Sequence, residues 1–306
     1  MLNEQIARNV GPAHLDIAYE RRGDPAHPTV LLVMGIAAQL VSWPLGFLDA
    51  LVARHLHVVR FDNRDAGRST HLRAAPPPDL PAALRGDLSS ASYTLSDMAA
   101  DAVGLLDVLD VGAAHVVGAS MGGAIAQTIA IEHPQRVRSL TSMMFTTGNP
   151  AVGQGHPATL QAVFGGAPAR TREEVVARAV RNAAIAGSPG FPADLAAVAE
   201  RAGLAYDRGH DEAAIARQAV ATVASGDRTA RLGALDVPAL VLHGLADTLI
   251  DPSGGRATAA AIPGAELVLI EGMGHDLPRG AWDRIADSIA AVVQRGEARA
   301  RGAGGG

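Results

Sequence analysis

The sequence predicts an α/β protein: a mostly parallel, eight-stranded sheet with helices on both faces, interrupted once by a run of helices. Three observations carry that prediction. Continuous apolar runs such as Val30-Leu31-Leu32-Val33-Met34 have the composition of strands covered on both faces. Helical patterns alternate with them, which implies parallel strands joined by right-handed crossovers. From Thr146 to about Leu235 strand signals vanish, and the alternation then resumes.

The first strands form a hairpin. Leu15-Asp16-Ile17-Ala18-Tyr19-Glu20 alternates with period two, and its partner lies near Ile6 to Val10 across Gly11-Pro12. After the Val30 to Met34 strand, a helix starts around Ser42-Trp43-Pro44, with a hydroxyl for a cap and proline in the first turn. His57 to Phe61 is the next strand. The proline-rich piece Ala74 to Pro81 reads as irregular surface chain. Thr94-Leu95-Ser96-Asp97 is a capping box with Asp for Glu, followed by Met98, Ala102, Leu105 and Leu109 at helical spacing. A strand at His115, a helix from Met121 to His133 and a strand from Val137 to Phe145 follow.

Helical stretches then fall at Pro157 to Phe164, Thr171 to Ala186, Pro192 to Tyr206 and Asp211 to Ala224. Such an insertion is expected to sit as a cap above the sheet edge. Strands at Val237 to His243 and Ala265 to Ile270 alternate with helices at Ser253 to Ile262 and Ala281 to Val293. The expected organisation is a core of residues 1–146 and 236–294, a helical cap of 147–235, and a disordered Gly/Ala/Arg-rich tail of 295–306.

Composition removes whole classes of chemistry. The 306 residues contain no cysteine, so no disulfide, thiol nucleophile or thiolate metal site is available. All 26 basic residues are arginine. Without lysine there is no Schiff base, no serine-lysine dyad and no phosphate-loop amine. A formal net charge of -5 gives no broad attraction to nucleic acid or anionic membrane. No stretch has the length and apolarity of a membrane span, and the first thirty residues lack the apolar core of a signal peptide, so a cytoplasmic location is the expectation.

Gly118-Ala119-Ser120-Met121-Gly122 lies between a strand and a helix, which is the setting of a nucleophile elbow. Serine needs a base, and the base needs an orienting acid. Two late strands run into candidate loops, Gly244-Leu245-Ala246-Asp247 and Glu271-Gly272-Met273-Gly274-His275. His275 is taken as the base, because its rival His243 ends a buried strand and is better placed to brace the acid loop. Asp247 is taken as the acid; Asp251 before Pro252 reads as an N-cap, and Asp276 as a turn or cap residue. The backbone N–H of Met121, with that of Ile36 after Gly35, would meet an oxyanion. Arg64 and Arg68 in Asp62 to Ser69 read as turn-stabilising ion pairs rather than a ligand site. His55-x-His57 has no third ligand nearby, so no metal is expected.

With these residues in view, the chain resembles the α/β-hydrolase superfamily, in particular the aclacinomycin methylesterase-like branch and its mycobacterial Lip-type esterase-thioesterase relatives. The resemblance rests on Val33-Met34-Gly35 with Trp43-Pro44, Phe61 to Ser69, Gly118 to Gly123, Gly244-x-x-Asp247 with Pro252, and Gly272 to Pro278. It implies Ser120, Asp247 and His275 as catalytic residues and no cofactor. Met34 is a departure, since a histidine usually precedes the oxyanion-loop glycine. The expected activity is hydrolysis of small to medium apolar esters or thioesters through an acyl-enzyme, with a mainly apolar pocket. The rival readings are carbon-carbon bond hydrolysis, perhydrolysis or lyase chemistry on the same triad, and a noncatalytic binding protein.

Overall fold

A computed structural model of the chain describes residues 2–303. Eight strands make one sheet: β1 Gln5–Val10, β2 Leu15–Arg22, β3 Thr29–Val33, β4 His57–Phe61, β5 Ala114–Ala119, β6 Val137–Met143, β7 Ala239–Gly244 and β8 Glu266–Ile270. Their spatial order is β1-β2-β4-β3-β5-β6-β7-β8. The hairpin forms with Ile6 opposite Ala18, and β2 also runs antiparallel to β4. From β4 across to β8 every pairing is parallel.

The helices of the core are α1 Leu45–Val52, α2 Leu80–Leu84, α3 Leu95–Val108 and α4 Met121–Glu132. Between β6 and β7 come α5 Pro157–Phe164, α6 Arg172–Ala186, α7 Leu195–Arg208, α8 Glu212–Ala224 and the short α9 Thr229–Leu232; α10 Ser253–Ala261 and α11 Trp282–Ala303 complete the chain. Period-two alternation along the buried strands divides the core into two layers. Leu31, Val33, Val116 and Val241 join α3 and α4 on one face. Val30, Leu32, Val117 and Leu240 join α1 and α11 on the other. Among the described residues no helix is long and apolar enough to cross a membrane.

Local chemistry accounts for several helix starts. Thr94 and Asp97 form the reciprocal box that opens α3, Thr171 and Glu174 do the same for α6, and Asp211 caps α8. Three expectations are corrected. Pro44 is the N-cap of α1, while Ser42 closes a 3₁₀ turn ahead of it. Asp79 caps the five-residue α2, with Pro81 tolerated in its first turn, where a wholly irregular segment was expected. Residues 295–303 continue α11 instead of forming a disordered tail; 304–306 lie outside the described residues. The extension is held by side chains that local composition does not reveal: Arg295 on Glu266, Arg299 on Asp236, and Glu297 3.2 Å from the buried His115.

His115 accepts or donates to Ser139 Oγ at 2.8 Å inside the sheet. Burial is the main cause that pushes its imidazole down to about 4, against the opposing pull of Glu297. The folded chain therefore refuses a proton that the unfolded chain takes up below its ordinary value of 6.5. Stability conferred by the neutral ring is complete above that value and is lost as pH falls from there to the folded value. Urea unfolding should show a loss of about 3 kcal/mol over this window. His115→Gln should have a visibly flatter pH slope there; an unchanged slope would remove His115 as its source.

Candidate active site

The turn between β5 and α4 holds Ser120 at φ 55° and ψ -130°, a backbone region that side chains rarely adopt. Its neighbours explain why glycine flanks it. A Cβ at Gly118 would lie 1.9 Å from the carbonyl oxygen of Gly122, and one at Gly122 would lie 2.1 Å from that of Val33. Strand, turn and helix can meet this closely only without side chains. The turn is fixed by the Ser120 amide, which donates to Met143 at the end of β6 at 3.0 Å, and by the Gly123 amide, which donates to Ser120 at 2.7 Å. Relief of the strain should make Ser120→Gly more stable than the parent by about 1 kcal/mol in chemical denaturation, net of the greater chain entropy of glycine. A destabilised variant would show that the conformation stores no such strain.

The three side chains singled out in the sequence converge. Ser120 Oγ lies 3.1 Å from His275 Nε2, and His275 Nδ1 lies 2.8 Å from Asp247 Oδ2. They come from the carboxyl ends of β5, β7 and β8, although 155 residues separate Ser120 from His275. Since a carboxylate only accepts, Nδ1 carries the imidazole proton and the Nε2 lone pair faces the serine hydroxyl. The Asp247 side chain is fully buried. Its Oδ1 accepts from the amides of Leu249 and Ile250, both at 2.9 Å, and Oδ2 also faces His243 Nε2 at 3.3 Å. Burial alone would raise this carboxyl; the hydrogen bonds from His243 and His275, with the charge of His275, overcome it and hold Asp247 below the ordinary carboxylate range.

The rival residues have other occupations. His243 Nε2 reaches the carbonyl of Ile250 at 2.9 Å, bracing the acid loop. Asp251 accepts from the Ser253 amide at 2.9 Å at the start of α10, and Asp276 accepts from the hydroxyl of Ser188. His55 precedes β4 with a positive φ of 57°, off the strand, and His57 Nδ1 is 3.0 Å from Thr29 Oγ1.

The loop after β3 lies against the elbow. A Cβ at Gly35 would come within 2.9 Å of Ser120 Cβ and 3.3 Å of its Oγ, so any larger residue would press on the hydroxyl. Ile36 follows at once. Among the described residues, neither the Ile36 nor the Met121 amide has a hydrogen-bond acceptor. The loop is held from outside. Asn63 Nδ2 donates to the Met34 carbonyl at 2.9 Å, and the Ala37 amide, at a positive φ of 62°, donates to Gln218 Oε1 at 2.9 Å. Gln218 Nε2 donates in turn to the Arg64 carbonyl at 2.9 Å. Sequence reading missed Gln218, which has no local motif and lies 181 residues from Ala37.

A family model described as the alpha/beta hydrolase fold matches residues 28–278. The chain belongs to the α/β hydrolase family. It is 33% identical over 295 residues to rhodomycin D methylesterase DnrP of Streptomyces peucetius, covering 89% of this chain and 93% of that one. It is 32% identical over 291 residues to the methylesterase DauP of Streptomyces sp. strain C5, covering 88% and 92%. Among solved structures, the enol-lactonase of Burkholderia xenovorans LB400 superimposes with a TM-score of 0.69 at 24% identity, covering 95% of this chain and 100% of that one. The esterase RhEst1 of Rhodococcus sp. ECU1013 does so with a TM-score of 0.72 at 20% identity, covering 96% and 99%. These two share the fold.

In this α/β hydrolase the loop from Asp62 to Ser69 is an ion-pair hub; of the two arginines expected to pair there, Arg68 is exposed and reaches Glu4 at 3.1 Å. Arg64 pairs with buried Asp101. The insertion supplies the other cations: Arg208 reaches Asp62 at 2.7 Å and also Glu4, while Arg217 makes two 2.8 Å bonds to Asp65. Leaving any of these buried carboxylates unpaired would cost about 3 to 5 kcal/mol. The insertion is thus bolted to the core on the side that carries the Gly35 loop.

Two of the cavities are lined by residues adjoining Gly35, Asp247 and His275, although Ser120, His275 and Asp247 themselves line neither. One, of about 360 Å³, runs between Ile36 and the insertion residues Val175, Asn182, Val198, Arg201 and Ile215. The other, of about 380 Å³, is walled by Ala246, Thr248, Asp276 and Leu277, the chain neighbours of Asp247 and His275, and again by Arg201. Apolar surface predominates in both walls, with charged side chains set into it. Arg178, paired with Glu212, and the half-buried Arg201 both enter the lining. These charges could not be located from the alanine-rich composition of α6 and α7, because only the packing says which helix face turns inward.

Proposed function

We propose that this chain is a serine hydrolase that cleaves carboxylic esters, thioesters included, through an acyl-enzyme. The observation that carries the reading is the unbroken hydrogen-bonded series from Ser120 Oγ through both imidazole nitrogens of His275 to Asp247. The likeness to two methylesterases along most of both chains supports ester cleavage as its use.

In the first half-reaction His275 Nε2 takes the Ser120 proton as Oγ bonds to the substrate carbonyl carbon. The Ile36 and Met121 amides meet the tetrahedral oxyanion; in support, they follow directly on Gly35 and Ser120, which are in close contact, and neither has a hydrogen-bond acceptor among the described residues. Asp247 holds the ring in its tautomer and stabilises the imidazolium. His275 then returns the proton to the departing alcohol or thiol. In the second half-reaction a water gives its proton to His275 as its oxygen attacks the acyl carbon; the C–Oγ bond then breaks, His275 returns that proton to Ser120 Oγ, and the carboxylic acid departs. Residues 147–235 act as a cap whose inner wall selects the substrate.

Stoichiometric modification of Ser120 by a fluorophosphonate, located by mass spectrometry, is the expected result. A panel of alkyl esters and thioesters from acetyl to palmitoyl should be turned over and should define the preferred acyl length. No labelling would favour a noncatalytic binding role. Labelling of Ser120 without turnover of any ester or thioester would move the same residues to another reaction, such as carbon-carbon bond hydrolysis.

A further inference from the structure

The loop that carries His275 is tied to the insertion at nearly every residue. The His275 amide donates to the carbonyl of Ala186, the last residue of α6, at 2.7 Å. The Gly274 amide donates to Ser188 Oγ at 2.9 Å, and the Ser188 hydroxyl donates to Asp276. The Gly190 amide donates to the Gly272 carbonyl at 2.9 Å. Residues 272, 274, 275 and 276 therefore all hang on the segment 186–190. The Met273 backbone turns to the core, where its carbonyl accepts from the Ala246 amide at 2.9 Å.

Three glycines make the contact possible. A Cβ at Gly274 would lie 2.1 Å from the Gly187 carbonyl oxygen, and Cβ atoms at Gly190 and Gly272 would lie 2.6 and 2.7 Å from each other's Cα. Two backbones at this distance move together. Asp276 is desolvated, and burial raises its carboxyl in spite of the Ser188 hydroxyl and the nearby charge of His275. Removal of the hydroxyl would leave the Gly274 amide without its partner and would take from Asp276 one of the two donors that Ser188 supplies.

We propose that Ser188 is a positioning residue for the base: by joining Gly274 to Asp276 it locks the histidine loop to the insertion and sets the reach of His275 Nε2 to Ser120. This rests on the hydrolase reading above. The insertion then acts on the chemical step as well as on substrate choice, and it does so even for an acetyl ester too small to fill either cavity. A displacement of the imidazole by a fraction of an ångström acts on proton transfer and leaves ground-state binding alone.

The test compares the full-length parent with Ser188→Ala, Ser188→Thr and Asp276→Asn. For a short acetyl ester, Ser188→Ala should lower kcat about 10-fold or more, with KM within about 2-fold, and should slow fluorophosphonate labelling of Ser120 by a similar factor. Ser188→Thr, which keeps the hydroxyl, should recover most of kcat. Asp276→Asn, which keeps an acceptor of the same shape, is the milder lesion and should fall in the same direction, serving also if Ser188→Ala folds poorly. Independently of turnover, the downfield proton of the His275–Asp247 hydrogen bond should broaden or shift in Ser188→Ala and return in Ser188→Thr. An unchanged kcat and resonance, or a loss confined to KM or to thermal stability, would overturn the proposal. A parent that neither labels nor hydrolyses would instead sink the hydrolase reading, and the resonance would still decide whether Ser188 positions the ring.

Discussion

Ser120→Ala should lower kcat/KM for any ester the protein cleaves by a factor on the order of 10⁵ while leaving the fold intact. The expected size follows from the role. No other hydroxyl stands in the elbow, and without Oγ the His275 Nε2 lone pair faces a methyl group, so the acyl-enzyme route is closed. The residual rate would come from carbonyl polarisation by the Ile36 and Met121 amides and from a water placed by His275. Alanine also retains the strained turn. Its stability should therefore stay close to that of the parent, unlike the glycine variant at the same position. Steady-state rates combined with fluorophosphonate labelling check this. A variant that keeps more than about a tenth of the activity would exclude Ser120 as the nucleophile.

Asp247→Asn should cost about 10⁴ in kcat, and the hydrogen-bond pattern gives the reason. Oδ1 accepts from two backbone amides, those of Leu249 and Ile250. An asparagine must keep its carbonyl oxygen there, because turning its NH₂ towards those donors would set donor against donor. The NH₂ group is then forced to face His275 Nδ1 and His243 Nε2. Facing a donor, His275 Nδ1 must give up its proton, which moves to Nε2 and removes the lone pair that Ser120 requires. His243 Nε2 retains its acceptor in the Ile250 carbonyl, so the acid loop should stay folded. The measurable sign is a large fall in kcat with KM little changed. A loss below about 10-fold would show that the imidazole is oriented by something other than this carboxylate.

The parts of this site that the sequence reveals are those whose geometry is local. Gly118, Ser120 and Gly122 must stand at fixed offsets for a strand to turn directly into a helix. Thr94 with Asp97 marks a helix start because the cap and its partner lie within one turn. The two late loops were legible for the same reason: each follows an apolar strand and carries its polar residue in a glycine-rich turn. Alternation of strand and helix then fixed which ends of the strands those loops share.

Side chains that work across long separations were not legible. Gln218 on the Ala37 turn, Arg208 on Asp62 and Ser188 between Gly274 and Asp276 carry no signature, because nothing at neighbouring positions constrains them. Residues 295–303 read as disordered from composition, yet Arg295, Glu297 and Arg299 find partners on or beside strands β8, β5 and β7 and extend the last helix. By itself the sequence determined the order of elements, the strained serine turn and the identities of Ser120, Asp247 and His275 as candidates. Tertiary structure decided how the insertion grips the core, which arginines enter the cavity walls and what holds the histidine loop. Local backbone preferences depend on neighbours in the chain, whereas hydrogen bonds and ion pairs between distant segments exist only after packing has brought them into contact.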